Sequence, residues 1–127
     1  MGVGTLDRCN LKKIFSQQIK KHPKEMRNAR LIEGFGGRVP IDKPRKSYSD
    51  NVLICGDAAS MVHCIKGEGN YYAIVSGLLA GKTAAKAVKK RNFSGRYLKK
   101  YERSWKKKFG FELYLSYYIL KVLRRIL

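Results

Sequence analysis

Two short blocks carry the residues best suited to chemistry. Gly56-Asp57-Ala58-Ala59 ends an apolar run, and Gly67-Glu68-Gly69 opens a stretch of small and aromatic residues. An ionised carboxylate only accepts hydrogen bonds, so Asp57 at a strand tip suits a ligand with hydroxyl donors, such as a ribityl chain or a ribose. Ligands in open α/β sheets sit beyond the carboxyl ends of the strands, which is where Asp57 is expected. Gly56 permits a sharp turn, and Ala58 and Ala59 leave room for a large group. Gly67, Glu68 and Gly69 offer backbone N–H groups at a helix start, which favour an anion or a carbonyl that gains negative charge. The same residues also admit a plainer reading, a strand ending in a Gly-Asp turn followed by ordinary loop and cap glycines.

These blocks must be held by elements that the periodicity locates. Leu11, Ile14, Phe15 and Ile19 fall at helical spacing, with Asn10 as N-cap and Pro23 beyond the end. Residues 29–41 look extended, broken by Gly34, Gly36 and Gly37, and Met1–Arg8 reads as a candidate strand. Val52–Cys55 is a short apolar strand bounded by turn residues. A helix is expected over 70–91, where Ala73, Gly77, Gly81 and Ala85 form a smooth stripe that would lie tightly against a sheet or loop. Ser94-Gly95 opens a second helical region with Tyr97, Tyr101 and Trp105 along one face. Gly110 bends or breaks it before the apolar segment with a basic end that completes the chain. The fold class expected is α/β, more narrowly an α+β fragment with a helical C-terminal half.

Composition narrows the partners. The chain has 127 residues and a formal net charge of +19, enough for one modest core and a surface that seeks anions. Residues 82–127 hold fifteen basic residues against two acidic ones, so most of the excess lies there. Cys9, Cys55 and Cys64 are odd in number and form no C-x-x-C pair, and His22 and His63 are too scattered for a metal site. This usage points to a reducing cytoplasm without a disulfide framework. No uncharged apolar run reaches the roughly 18 residues a spanning helix needs.

Cys55–Gly77 resembles the second flavin motif of the FAD-dependent geranylgeranyl reductases, within the p-hydroxybenzoate-hydroxylase-like flavoproteins. That family's pattern is an apolar strand, G-D-A-A, a loop ending in P-x-T-G-E-G, an aromatic pair and a helix reaching S-G. Here it reads Gly56-Asp57-Ala58-Ala59, Gly67-Glu68-Gly69, Tyr71-Tyr72-Ala73 and Ser76-Gly77. Gly36-Gly37-Arg38-Val39-Pro40 is similar to the family's G-G-x-[IV]-P, Tyr101-Glu102 with Trp105 to its Y-E-x-x-W, and Met1-Gly2-Val3-Gly4 to a strand of its substrate-binding sheet. Two positions depart from the pattern: Cys64 stands for the usual proline and Lys66 for the usual threonine. Cys64 is then either a thiol facing the isoalloxazine or a buried inert one. Lys66 either stabilises a reduced flavin or is a solvated surface lysine.

The resemblance implies reduction of isoprenoid C=C bonds by hydride from a reduced flavin. It implies that Asp57 binds the ribityl hydroxyls, that Gly56 and Ala58 border the ribityl–pyrophosphate region, and that Gly67, Glu68 and Gly69 meet the flavin ring edge through backbone N–H. No catalytic acid can be named. Tyr71 and Tyr72 are either lipid-channel or core aromatics. Neither Gly2-Val3-Gly4 nor Gly34-Phe35-Gly36 completes the G-x-G-x-x-G loop that holds the ADP half of FAD. The resemblance is therefore to the C-terminal part of such an enzyme, a truncated, split or shortened relative lacking the N-terminal dinucleotide-binding βαβ unit. It would hold one half of a flavin site and bind FAD weakly or not at all alone.

Three regions follow: 1–50 as the end of a substrate-binding sheet region with one helix, 51–92 as the flavin-contacting strand–loop–helix, and 93–127 as a basic amphipathic helical region. The last fits peripheral attachment at an anionic inner membrane face, near an isoprenoid lipid substrate. The rivals are a non-catalytic membrane-surface module and a nucleic-acid-binding protein using lysines interleaved with Tyr97, Tyr101 and Trp105.

Overall fold

The computed structural model describes residues 4–5, 9–30 and 32–126. It divides into two compact units, 1–36 and 37–127. Residues 37–50, grouped with the first region on sequence, lie in the second unit. The strand expected at Met1–Arg8 lies largely outside the described residues.

The first unit holds α1, Leu11–Lys21. Asn10 caps it by accepting the Lys13 N–H through Oδ1 at 3.1 Å, which satisfies one of the orphan donors of the first turn. Its apolar face is only half-covered, with Ile14, Phe15 and Ile19 intermediate in exposure. Residues 29–30 and 32–41 pair with no strand; Ile32 and Phe35 are almost wholly exposed. A run interrupted by three glycines gains little from burial and loses much entropy on ordering, so the extended reading gives irregular chain.

The second unit begins its regular structure with a small antiparallel ribbon. β1, Tyr48–Ser49, pairs with β2, Val52–Leu53, in the register Tyr48↔Leu53 and Ser49↔Val52. Asn51 turns between them at φ 60°. The strand expected over Val52–Cys55 is thus shorter, although Ile54 N–H still donates to Ser47 O at 2.9 Å. Among the described residues there is no parallel sheet, and helix dominates: α2 is Asn70–Lys89, α3 is Gly95–Trp105 and α4 is Phe111–Ile126.

One cluster ties these elements together: Ala59, Met61, Tyr72, Tyr101, Trp105, Phe109 and Leu113. Trp105 and Phe109 stack with centroids 5.6 Å apart, and Tyr72 meets Phe109 edge-on at 5.2 Å, geometries that aromatic pairs favour. Gly110 does not interrupt the run. A single π-helical turn, Lys106–Gly110, joins α3 to α4. Positions four apart drift by about 40° in a regular α-helix. The wider π turn offsets that drift and keeps Trp105, Phe109 and Leu113 on the buried face.

The small-residue stripe of α2 does not pack as expected. The buried positions are Tyr72, Ser76 and Ala87. Gly77 and Gly81 have nothing within 4 Å of where a Cβ would sit, and Ala85 is exposed. Only Ala73 meets another backbone closely, at Gly56. The apolar ribbon is too short to cover the rest of the helix.

Glu102 organises the junction between α3 and the ribbon. Its Oε2 accepts from Ser47 N–H at 3.1 Å, and its Oε1 accepts from Lys106 Nζ at 2.7 Å. Burial alone would raise its pKa, but the Lys106 and Ser47 donors outweigh burial and hold it below the ordinary value of 4.5. A carboxylate depressed in the folded state stabilises the fold above its unfolded pKa and loses that contribution as pH falls through the folded one. Acid unfolding of Glu102→Gln, followed by circular dichroism, is therefore expected to be flatter below about pH 4.5 than that of the wild type. Identical acid limbs would remove Glu102 as a pH-linked group.

Candidate functional site

The G-D-A-A block folds as a 3₁₀ turn, Gly56–Ala59. Gly56 sits at φ +61°, a conformation side chains avoid, and a Cβ there would lie 3.0 Å from Ala73 Cβ. The two together favour glycine at 56, and the close approach favours a small residue at 73. The buried Gly56 N–H donates to Ser76 Oγ at 3.0 Å. Ser60 N–H returns to Asp57 O at 2.9 Å, and Met61 N–H to Gly56 O at 3.1 Å. Upstream, the Tyr101 hydroxyl donates to Ile54 O at 2.8 Å. Burial raises the Tyr101 phenol to about 12, so it remains a donor through neutral pH. The turn is thus held by α2 from one side and α3 from the other.

Gly67-Glu68-Gly69 follows a tight loop. His63 N–H donates to Glu68 O at 2.9 Å, and Gly67 N–H donates back to His63 O at 2.8 Å. Gly67 takes φ +68° with open space beyond it. Gly69 is the N-cap of α2 and supplies no side-chain cap, leaving the first-turn N–H groups without one.

The loop brings the two blocks together. A Cβ on Gly69 would lie 2.8 Å from Asp57 Oδ1 and 3.4 Å from Val62 Cγ2. Asp57 is exposed. Among the described residues its carboxylate has no hydrogen-bond or ion-pair partner. Asp57 and Gly69 therefore meet at the start of α2, with Ala58 exposed beside them. The Glu68 side chain pairs with Lys66 at 3.9 Å, both side chains being well exposed.

Cys64 is the buried thiol of its two readings. Its Sγ lies 3.7 Å from Asp42 O and 3.8 Å from Val62 O, and burial, the largest influence, pushes its pKa up. Such a thiol stays protonated and unreactive. Tyr72 is a core aromatic, 3 % exposed, whereas Tyr71 is 54 % exposed. Tyr101 and Trp105 are fully buried, so neither ring is open to stack on a nucleic-acid base.

Three buried serines had no assigned role on sequence. Ser76 holds Gly56, Ser116 Oγ accepts from Cys64 N–H at 3.1 Å, and Ser47 Oγ accepts from Trp105 Nε1 at 2.8 Å. The S-G of the α2 motif and the W of Y-E-x-x-W were visible, but not the bonds they make.

No family model matches the chain. It is 42 % identical over 84 residues to a digeranylgeranylglycerophospholipid reductase of Methanocaldococcus jannaschii, covering 65 % of this chain and 22 % of that protein. It is 34 % identical over 113 residues to the protein of that name from Methanococcus aeolicus, covering 86 % and 29 %. The crystal structure of a geranylgeranyl bacteriochlorophyll reductase-like protein from Thermoplasma acidophilum superposes with a TM-score of 0.76 and 25 % identity, over 90 % of this chain and 29 % of that one. In sequence and fold the chain is thus related to the geranylgeranyl reductases. Its similarity within that group is to digeranylgeranylglycerophospholipid reductases, and it spans 22–29 % of the length of the two relatives described.

Ser76→Ala would leave the buried Gly56 N–H without a partner. The expected cost is about 1–3 kcal/mol, measurable by urea denaturation. An unchanged midpoint would show that Ser76 does not hold the turn.

Proposed function

We propose that this chain supplies one side of an FAD site in a reductase that saturates C=C bonds in the isoprenoid chains of lipids. The observation that carries this reading is the unpartnered Asp57 carboxylate, set against Gly69 at the uncapped start of α2. A carboxylate with free acceptor sites suits the ribityl hydroxyls. The first-turn amides of α2 suit a ring edge that gains negative charge. The residues fit the group in an amended form. Gly67 N–H is committed to His63 O, so ring-edge contact falls to the backbone of Glu68 and Gly69 and the first turn of α2, while Gly56 and Ala58 border the ribityl–pyrophosphate region.

When bound, the flavin supplies the hydride; the protein positions and shields it. This chain's part is to fix the Asp57 turn between α2 and α3 and to exclude a side chain at position 69. The ADP half of the cofactor would be held by polypeptide beyond these residues, on the same or a separate chain.

The test is FAD titration by fluorescence quenching. It uses the full chain alone and the chain joined behind the preceding segment of its M. jannaschii relative. Weak or absent binding is expected alone, and saturable binding in the joined protein. There, Asp57→Ala is expected to weaken FAD by about 10–100-fold, the loss of hydrogen bonds to a charged group. Wild-type affinity in Asp57→Ala would overturn the assignment.

A specific observation also favours a membrane surface as the place of action. On α4, Phe111, Leu115, Tyr118, Val122 and Ile126 are all exposed at 45–79 % and fall at helical spacing. Lys121, Arg124 and Arg125 lie on the same helix. No described helix is long and apolar enough to cross a membrane, so the helix would lie in the interface. Co-sedimentation with anionic vesicles is expected to fall at least about tenfold in Leu115→Glu/Val122→Glu, since each change replaces an exposed apolar side chain that the interface would bury with a charge. Undiminished binding would exclude α4 as the attachment surface.

A further inference from the structure

A cavity lies away from the Asp57 turn. It has a volume of about 400 Å³ and is lined by Lys46, Tyr48, Asp50, Gly95, Arg96 and Lys99. Two exposed faces form it. Along the extended chain at β1, Ser47 points inward and is buried, so its neighbours Lys46 and Tyr48 lie on the open side. On α3, Leu98 and Tyr101 are buried, so Arg96 and Lys99, one turn apart, face outward.

Both walls are held in place. Ser47 is tied to α3 by its N–H donating to Glu102 Oε2 and by Trp105 Nε1 donating to its hydroxyl. Asp50 Oδ1 accepts from Gly95 N–H. A Cβ at Gly95 would sit a tight 3.3 Å from Asp50 Oδ1. Asn51 N–H donates to Phe93 O at 2.9 Å. The backbone on both sides of the cavity is therefore set before any ligand arrives.

The charges are unbalanced. Among the described residues, Lys46, Arg96 and Lys99 have no carboxylate partner, and Lys46 Nζ rests 5.0 Å from the Tyr48 ring centre. The one carboxylate in the lining, Asp50, already accepts the Gly95 N–H. Three cations against one engaged carboxylate leave an excess that matches the roughly −2 charge of a phosphomonoester or diphosphate. The Arg96 guanidinium offers a planar donor pair suited to phosphate oxygens.

We infer that this cavity binds the phosphate group of a phosphomonoester or diphosphate ligand, either free in solution or as a lipid headgroup. The inference does not depend on the flavin reading, because no residue of the Asp57 turn takes part.

The experiment is a titration of the full chain with inorganic pyrophosphate at about 0.15 M salt, where charges beyond roughly 8 Å are screened, followed by amide NMR shifts. Saturable shifts are expected at Lys46, Gly95 and Lys99. Lys46→Gln/Arg96→Gln/Lys99→Gln, three exposed side chains outside the core, should weaken binding at least tenfold. Lys82→Gln/Lys86→Gln/Lys89→Gln on α2 removes the same charge and should leave affinity unchanged. Equal weakening in both variants, or shifts spread over α2 and α4 without saturation, would overturn the site in favour of nonspecific charge. Vesicles containing phosphatidic acid then separate the sources. Displacement by pyrophosphate, with loss in the cavity variant only, supports a headgroup. Pyrophosphate binding that does not compete with vesicles supports a free phosphorylated ligand.

Discussion

Ser47 is the hinge on which the second unit depends. It lies fully buried between the ribbon and α3, donating its N–H to Glu102 and accepting from the Trp105 indole. A buried polar network of this kind is stabilising only when every member is satisfied. Here the carboxylate has Ser47 on one oxygen and Lys106 on the other, and no described buried side-chain polar atom lacks a partner. The network therefore fixes α3 against a ribbon too short to hold itself. Two two-residue strands are far below independent stability.

From that hinge the site follows by geometry. Once α3 is docked, Tyr101 reaches the carbonyl of Ile54 and sets the direction in which the chain leaves β2. The chain must then turn at once, and it does so at positive φ on Gly56, beneath Ala73 of α2. Ser76, one turn further along α2, receives the N–H exposed by the turn. Asp57 is thereby placed at the helix start with no bond from its own side chain among the described residues. Its carboxylate is positioned by backbone alone, which leaves all of its acceptor capacity for a ligand.

Helix boundaries were legible because they rest on local signals. Asn10 and Ser94 each accept an N–H three residues on, as their types and places suggest, and Gly69 opens α2 where the small residues begin. The G-D-A-A and G-E-G blocks were legible as a pair, and they do meet, at Asp57 and Gly69. What was not legible depends on distant partners. Ser76 bonds a residue 20 positions away, and Ser47 bonds one 58 positions away; neither spacing leaves a periodic trace. The basic aromatic face of α3 was undecided on sequence for a related reason. Spacing shows that Tyr101 and Trp105 share a face, but only the fold decides whether that face meets water or the core.

The small-residue stripe of α2 and the charge excess make opposite demands on the surface. Glycine in a helix interior costs about 1 kcal/mol relative to alanine, and Gly77 and Gly81 recover none of that through close contact among the described residues. Their neighbours Ile74 and Leu78 are exposed at 66 % and 61 %, so this side of α2 is smooth and apolar. The exposed side of α3, by contrast, carries Arg96, Lys99, Lys100 and Arg103. A +19 chain repels itself, and with 28 basic residues against 9 acidic ones most cations rely on solvent rather than an acidic partner. One face is thus suited to apolar contact and the other to anions. The π turn at Lys106–Gly110 keeps α3 and α4 on one continuous helical rod, holding Trp105, Phe109 and Leu113 in the core while the lysines beside them stay in water.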